Sequence, residues 1–481
     1  MGKATTPSFI LELELRLDSH QKATLTKKLN VARQIYNACL NHSLKCLYSV
    51  LADPEYRDLL KQEKSDERKT KLKDIEYRYG YSANSLRMWV LECRHYFGKQ
   101  IGSTEAQQLA ARAFYAVEKV HYHQAKKVNF VAYGNLVTTE NNNNNSNLRW
   151  TGGRVVWNDL SMDVIVKKND FYAQACLQYR TKYVRIIAKD IRGRRRYFAQ
   201  LVQEGIPPQK KNCVVGPMDA RVGIDPGTGT MAIASKDHVE LVELATGLQT
   251  DESKLHRIQR AMDRSRRAMN PDNYNADGTI KQGRKTWIYS NRYKKLEAKY
   301  KELHRKVAAK RKQSHEELAN RVIALGLDVR TEDMSYKGLQ KKSKKTTKNK
   351  KNGKINKKKR FGKSIGNRAP AMFLTILDRK LQYYGSSLKK VDTKKLKASQ
   401  FDHTTGKYTK KELKDRWNDI QGHRVQRDLY SSFLIAYTRQ NLCSVNIKLA
   451  KEEFEHFLAL HDAEVERLRH AGSSTLKWYI R

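Results

Sequence analysis

The sequence is short of negative charge. Its 95 Lys and Arg residues outnumber 50 Asp and Glu, which gives a formal net charge of +45. Positive charges in this number repel one another in a compact protein, which indicates that the protein is normally bound to a polyanion. Nucleic acid is the obvious polyanion. Binding should weaken steeply as salt rises. A ribosomal or chromatin-like basic protein has the same imbalance, so charge alone does not choose between these classes.

Long hydrophobic runs are also missing. No window reaches the ~18 apolar residues of a membrane span, and charges interrupt the apolar runs between Met1 and Asp18, so no signal peptide is expected. The six cysteines include no CxxC pair, which indicates reduced, structural thiols. We therefore expect a cytoplasmic protein with no membrane partner.

The N-terminal part combines strand and helix patterns. Phe9 to Asp18 alternates apolar and polar side chains, as a half-buried strand does. Apolar residues then recur at helical spacing from Leu25 to Leu44. Thr104 with Gln107 predicts a capping box that opens a second helix.

Strand patterns return further along the chain. The run Asn141–Asn145 predicts a polar loop without core-forming capacity. Two β-rich runs, 183–188 and 197–204, predict a hairpin around residues 189–194. Because strand segments lie on both sides of the helices, we expect a small β-barrel interrupted by a helical insertion.

The C-terminal half reads as a second α/β region. Strands are predicted at 222–225, 230–235, 239–244, 327–331 and 388–392. Helices are predicted at 251–269, 287–325, 371–384 and 427–442. The first two of these helices are very basic and predict a helical hairpin that stands out from a sheet.

Three acidic residues stand at the ends of these elements. Asp225 ends one apolar strand, Glu332 follows another and Asp428 opens a helix. Like charges held close together disfavour joint ionisation, and two Mg²⁺ ions ~3.5–4 Å apart offset that repulsion while activating a water for phosphodiester hydrolysis. Mg²⁺ prefers such hard oxygen ligands. We expect Asp225, Glu332 and Asp428 to be catalytic and to bind metal, although each alone could be a turn residue or the solvated end of an element.

The turn after Asp225 allows a competing interpretation. Actin-like ATPases and sugar kinases place a comparable strand–turn–strand beneath ATP phosphate, and the backbone of Gly227-Thr228-Gly229 could cradle one. That class needs a second glycine-rich phosphate loop, which the sequence lacks. A dinucleotide-binding site is excluded because the full GxGxxG spacing is absent.

The same acidic segments resemble a known family. Ile224-Asp225-Pro226-Gly227 resembles the first RuvC motif, Thr331–Met334 the second and Gln426-Arg427-Asp428 the third. With the basic hairpin between the first two, the chain resembles TnpB, the transposon-encoded relative of type V CRISPR effectors. Arg33–Asn37 and Tyr197–Pro208 extend the likeness, which is weakest at 50–100 and after Gln440.

The resemblance implies an α/β, bilobed, multidomain protein. A wedge β-barrel interrupted by a helical recognition domain would precede an RNase H-like RuvC domain. The implied limits are 1–20 for the first wedge strand, 21–130 for the recognition domain, 131–212 for the rest of the wedge barrel and its linker, and 213–481 for the nuclease domain. The nuclease domain would contain the helical hairpin at 250–325, a lysine-rich loop at 341–360 and a degenerate zinc-ribbon or lid region at 394–424.

The implied activity is RNA-guided, Mg²⁺-dependent cleavage of double-stranded DNA beside a short duplex motif, with Mn²⁺ able to substitute, in a prokaryotic cytosol. The partners are a guide RNA and target DNA. The guide is either a transposon-derived noncoding RNA or a CRISPR guide, since the sequence does not separate the two. A guided DNA-binding repressor without cleavage and a cut-and-paste transposase are the other functions considered.

One departure from the family pattern concerns zinc. The family usually carries a four-cysteine zinc ribbon between its second and third RuvC motifs, but Asp402 and Thr405 stand where the first cysteines would be. His403 and His423 alone are poor substitutes, because structural zinc normally takes four N or S ligands. We therefore expect no structural zinc.

Overall fold

The computed structural model describes residues 6–210, 213–246, 248–341, 346, 353, 355, 361–410, 412 and 415–481, except for the side chains of residues 99 and 249–251. The lysine-rich loop expected at 341–360 lies almost entirely outside the described residues. The chain divides into two compact units, Met1–Pro208 and Gln209–Arg481. None of the described helices is both long and apolar enough to cross a membrane.

The first unit begins with one strand, continues with five helices and ends with strands. In its described part the strands are β1 Ser8–Arg16, β2 Thr138–Glu140, β3 Leu148–Thr151, β4 Arg154–Trp157, β5 Leu160–Ile165, β6 Thr181–Ile191 and β7 Arg194–Glu204. The helices are α1 Ser19–Ala52, α2 Pro54–Lys61, α3 Asp66–Arg78, α4 Ala83–Cys93, α5 Ser103–His121 and α6 Phe171–Leu177.

The seven strands form one sheet in the order β2-β6-β7-β1-β5-β4-β3. β1 alternates as expected, with Phe9, Leu11 and Leu13 buried, and pairs antiparallel with both β7 and β5. The edge strand β3 also packs against β6, so the sheet curls on itself. Because β2 and β3 remain edge strands, the predicted barrel is a curled half barrel, and helices α1–α5 are inserted between its first and second strands.

The helix starts of this unit correct one prediction. The capping box belongs to α1, where the Gln21 N–H donates to Asp18 Oδ1 at 2.7 Å and Gln21 Oε1 accepts from Asp18 N–H at 3.0 Å. The predicted capping box at Thr104 and Gln107 is wrong, because α5 begins at Ser103 with Gly102 as its N-cap. The side chains of Glu105 and Asn147 occupy the space beside Gly102.

The asparagine run is a loop, as predicted, but its first residue is buried. Asn141 is buried, and its Oδ1 accepts the backbone N–H of Val184 at 2.9 Å while its amide donates to Ser146 Oγ at 2.8 Å. These bonds hold the loop to the sheet, because a buried amide needs such partners. The predicted hairpin is confirmed, and Arg192 and Gly193 form its tight turn with φ of 52° and 75°.

In the second unit, strands of one sheet come before and after a pair of long helices in the chain. In its described part the strands are β8 Arg221–Pro226, β9 Thr230–Ser235, β10 His238–Glu243, β11 Asp328–Glu332, β12 Lys389–Val391, β13 Trp417–Ile420 and β14 His423–Gln426. The helices are α7 Gln249–Met269, α8 Asn291–Leu325, α9 Tyr336–Gln340, α10 Gly362–Arg368, α11 Pro370–Tyr383, α12 Thr393–Leu396, α13 Arg427–Ala436, α14 Ile447–Glu452, α15 Phe454–His470 and α16 Ser474–Tyr479.

Five of these strands form a mixed sheet in the order β10-β9-β8-β11-β12. β8 to β10 are antiparallel, whereas β11 runs parallel to both β8 and β12. Alternate residues of β9 enter two different hydrophobic clusters: Met231 packs with α8 and α11, and Ala232 packs with α13 and α15. The sheet is therefore covered on both faces, as an almost wholly apolar strand requires.

Two helix limits differ from the predicted ones. α8 begins at Asn291, after the N-cap Ser290, and Trp287 instead lies under the guanidinium of Arg266 at 5.1 Å. α13 ends at Ala436 rather than at 442, because Thr438 turns to bridge with Val445.

Candidate active site

Asp225 and Glu332 lie at the same edge of the mixed sheet. β8 and β11 are parallel, and Ile224 is in register with Thr331, so the residues that follow each of them are neighbours. The carboxyl ends of adjacent parallel strands meet at one edge, which is the usual place for ligands in such sheets.

Helix α13 brings Asp428 to this edge. α13 packs directly on β8, and a side chain at Gly223 would collide with the Ser432 carbonyl and the Ala436 amide. Glycine is thus required for the close approach. Asp428 lies in the first turn of α13, next to the N-cap Gln426, whose Oε1 accepts the Leu429 N–H at 2.8 Å.

The three carboxyl groups interact electrostatically. The pKa of Asp225 is raised well above its usual range, first by burial and then by the negative charges of Glu332 and Asp428. Burial and Asp428 also raise the pKa of Glu332, against an opposing effect of Arg427. Burial raises the pKa of Asp428 although nearby arginines oppose it. The structure therefore brings the three predicted residues into one electrostatic neighbourhood.

The chemistry of the donor atoms favours metal binding, but their spacing does not. Three carboxylates are the hard oxygen donors that Mg²⁺ prefers, and a cation would relieve their repulsion. However, among the described residues no group of three or more His, Cys, Asp or Glu side chains is spaced to hold a metal ion. The donor chemistry fits Mg²⁺, and metal binding at Asp225, Glu332 and Asp428 stays a prediction.

Arg416 is a site residue that the sequence did not reveal. Its Nη1 lies 3.7 Å from Asp428 Oδ2, and its Cζ lies 3.8 Å from the centroid of the Trp478 ring and 4.9 Å from that of Tyr479. Its positive charge is the largest influence that opposes the rise in the pKa of Asp428. One arginine is not distinctive in so basic a sequence. The aromatic residues that contact Arg416 belong to α16, which is distant from it in the chain.

The expected zinc-ribbon remnant is organised by hydrogen bonds. Asp402 accepts from the Thr404 N–H at 2.8 Å and from the Thr405 hydroxyl at 2.8 Å. His403 is buried against Tyr430, with Nδ1 2.7 Å from the hydroxyl, and burial lowers its pKa to about 4. His423 begins β14 and is exposed. The turn is thus held by the carboxylate of Asp402, which stands where a zinc ribbon would have a cysteine.

A cavity of about 550 Å³ lies in the first unit, between the helices and the sheet. Arg87 of α4, Arg112 of α5 and Arg185 of β6 line it together with asparagine and glutamine side chains. Arg185 is held by an ion pair with Glu140 at 2.6 Å. This collection of fixed donors and acceptors is suited to anionic or hydrogen-bonding ligands.

Comparison with known proteins gives a structural likeness of low strength. No protein-family model and no curated protein matches the chain. The chain is similar to Cas12f1 in a cryo-EM structure of its complex with sgRNA and target DNA, at 10% identity and a TM-score of 0.45, over 89% of this chain and 98% of that one. A CRISPR-Cas12f ternary complex is similar at 12% identity and a TM-score of 0.24, over 87% and 82% of the two chains. Likenesses at this level do not decide between functions.

Proposed function

We propose that this protein is an RNA-guided DNA endonuclease of the TnpB and type V kind. It would cleave double-stranded DNA beside a short duplex motif by Mg²⁺-dependent phosphodiester hydrolysis. The observation that carries the proposal is the mutual electrostatic influence of Asp225, Glu332 and Asp428 at one edge of the mixed sheet. Carboxylates that are buried beside one another at a strand edge are typical of functional sites.

The sheet itself supports this assignment. Three antiparallel strands followed by two parallel ones, with acids at the ends of the first and fourth strands, is the arrangement expected of an RNase H-like RuvC domain. Helix α13 supplies the third acid from the face of the sheet. The order along the chain, strand, strand and helix, is the order of the three motifs.

The chain's own residues have separable roles in this mechanism. Asp225, Glu332 and Asp428 would hold Mg²⁺, which when bound supplies an activated water and stabilises the leaving oxygen. Arg416 places a positive charge beside Asp428, where it offsets part of the carboxylate charge. The aromatic rings of Trp478 and Tyr479 fix that guanidinium in place.

Nucleic-acid binding follows from the charge. A protein of this kind needs only a positive channel for the heteroduplex, because base pairing with the guide RNA selects the sequence. The net charge of +45 suits that role, and α7 with α8 presents a basic helical pair. The arginine-lined cavity of the first unit is our candidate reader of the duplex motif, because Arg, Asn and Gln side chains recognise base edges in the major groove.

A guided DNA-binding repressor is the second candidate. The observation that favours it is the spacing of the acidic side chains, since no metal-binding group is formed among the described residues. The two candidates share RNA and DNA partners and differ only in cleavage. Whether the guide comes from a transposon or from a CRISPR array does not change the chemistry of the site.

Purification with sequencing of the associated RNA, followed by cleavage of a matching DNA duplex, tests the proposal. We expect a discrete structured RNA that ends in a variable segment. Asp225→Ala should abolish cleavage and retain RNA-dependent DNA binding. The matched control is Asp333→Ala, an exposed neighbour of Glu332 whose carboxylate pairs with Lys390 at 2.9 Å. Equal cleavage by Asp225→Ala and the control contradicts the assignment, and binding without any cleavage by the unaltered protein favours the repressor.

A further inference from the structure

A second and larger cavity lies in the first unit, far along the chain from the acidic residues. Its volume is about 1170 Å³, and the end of α1, helices α2 and α3, and the end of α5 enclose it. We call it the α1–α3 groove. Helices α2 and α3 lie within residues 50–100, the segment where the family resemblance is weakest.

Large apolar side chains line the groove and remain exposed. Tyr48 is 63% exposed, Leu60 49% and Tyr122 57%. The Tyr122 ring stacks on His121, with centroids 4.7 Å apart and planes 17° apart, so one of its faces is already held flat. Apolar surface that stays exposed as one contiguous patch is typical of interaction sites.

The rim of the groove is positively charged. Its cations are Lys64, Arg68, Lys69, Lys73 and Lys126, and its acids are Asp66 and Glu76. Five cations against two acids leave the rim with a net positive charge. In the described part of the chain, no carboxylate lies within ion-pair distance of Lys64, Lys69 or Lys126. An anionic partner would therefore meet ammonium groups that are not already neutralised.

Hydrogen bonds hold the groove wall in place. His121 Nε2 lies 2.9 Å from the hydroxyl of Tyr56, which donates to Glu76 Oε1 at 3.4 Å. Because the Tyr122 ring stacks on His121, these bonds also help to fix the position of Tyr122.

We propose that the α1–α3 groove binds unpaired nucleotides of the RNA partner. The bases would stack on Tyr48 and Tyr122, and the rim cations would contact the phosphates. An acidic protein segment would also match the rim charge, but it offers no flat ring for the exposed tyrosine faces. A nucleic acid offers such rings and also suits the net charge of +45. Aromatic platforms with a cationic border are the usual design for single-stranded nucleic acid.

This inference rests on the proposed function for the identity of its ligand, so the test separates base stacking from charge. The full chain is titrated with a labelled ~8-nucleotide oligouridylate, within the usual site size for stacking platforms. The same titration uses an abasic ribose-phosphate oligomer of equal length. The variants are Tyr48→Ala and Tyr122→Ala, and the control is Tyr77→Ala, an equally exposed tyrosine (62%) of α3 that does not line the groove.

We expect each groove variant to weaken oligouridylate binding by about 5-fold or more, since one stacked base contributes at least ~1 kcal/mol. Binding of the abasic oligomer should be unchanged, and the control should match the unaltered protein with both. Oligouridylate carrying 4-thiouridine should crosslink to groove peptides. Thermal unfolding of each variant, compared with the control, verifies that the unit stays folded.

Three results overturn the proposal. The first is an equal loss for the abasic oligomer, which would leave charge as the only interaction. The second is tyrosine-dependent binding of a glutamate polymer, which would assign the groove to an acidic protein segment. The third is equal tyrosine dependence for a deoxyuridine oligomer, which would assign it to a DNA strand. Guided cleavage that persists alongside any of these shows that the groove assignment failed while the proposed function stood.

Discussion

The carboxylate site of the second unit and the α1–α3 groove of the first both contain buried titratable groups, but they are incomplete in different ways. Beyond the effect of burial, the negative charges of Glu332 and Asp428 raise the pKa of Asp225, so their site keeps a like-charge repulsion although Arg416 and Arg427 lie nearby. Glu76 and His121 instead share hydrogen bonds with the Tyr56 hydroxyl. Burial shifts the pKa of groups at both places. The like-charge repulsion marks a site suited to a cation, whereas the groove is suited to a flat ligand.

The largest expected effect is the loss of cleavage when one acid of the carboxylate site becomes neutral. Glu332→Gln keeps the shape of the side chain and should lower the cleavage rate by at least ~100-fold, because even outer-shell partners of a metal cost about 10- to 100-fold. The measurement is single-turnover cleavage of a guide-matched duplex at saturating Mg²⁺.

A change at the exposed neighbouring acid should leave this rate alone. Asp333→Asn removes a carboxylate that pairs with Lys390 at 2.9 Å and is not one of the three site acids. A rate for Glu332→Gln within a factor of a few of the Asp333→Asn rate would remove Glu332 from the active site.

A second expected effect is the pH dependence of cleavage. A carboxyl group with a raised pKa stays protonated to a higher pH than usual, and a protonated group is a poor metal ligand. Cleavage should therefore fall as pH drops through the raised pKa values of Asp225, Glu332 and Asp428, above the ordinary range of ~4 for carboxyl groups. Guided DNA binding, measured over the same pH range, should not follow this loss. A cleavage rate that stays constant down to the ordinary range would show that Mg²⁺ does not depend on these groups.

The sequence was informative where one strand or one helix carried the signal. The alternation of β1, the β6–β7 hairpin and the strand that ends at Asp225 follow from local patterns, and the structure has all three. It was misleading where a distant residue decides the local structure. α13, for example, ends early because Thr438 pairs with Val445 instead of continuing the helix.

The same limit applies to the sites. Asp225, Glu332 and Asp428 could be named because each sits at the end of a recognisable element. Arg416 could not, because its place depends on a stack with Trp478 and Tyr479 that no local pattern announces. The α1–α3 groove was missed for a related reason. Its apolar residues continue the helical faces of α1 and α2, and only the packing of the helices shows which of them stay exposed.

A smaller effect is expected on stability. A carboxyl group whose pKa rises on folding favours the folded state while it is protonated, below its unfolded pKa, and loses that contribution as pH rises through the folded value. At neutral pH the acidic cluster therefore destabilises the folded protein. Asp225→Asn should raise the melting temperature in EDTA by about 2–4 °C for each kcal/mol of repulsion removed. Mg²⁺ should then stabilise the unaltered protein more than the variant, whereas Asp333→Asn should change neither value. A lower melting temperature for Asp225→Asn in EDTA would mean that hydrogen bonds to Asp225 outweigh the repulsion.

The smallest expected effect concerns the rim of the α1–α3 groove, where charge acts without stacking. Replacing Lys69 and Lys126 by glutamine should reduce the slope of log affinity against log salt by about 0.7 for each phosphate that the rim no longer neutralises, the value for single strands. Unlike the tyrosine variants, these changes should weaken oligouridylate and the abasic oligomer alike, because both carry the same phosphates. The control is Lys71→Gln, since Lys71 lies on the same helix as Lys69 but is already paired with Glu67 at 2.8 Å. The same reduction for Lys71→Gln would mean that the phosphates contact the positive surface of the chain in general and not the rim in particular. Only the tyrosines would then distinguish the groove from the rest of that surface.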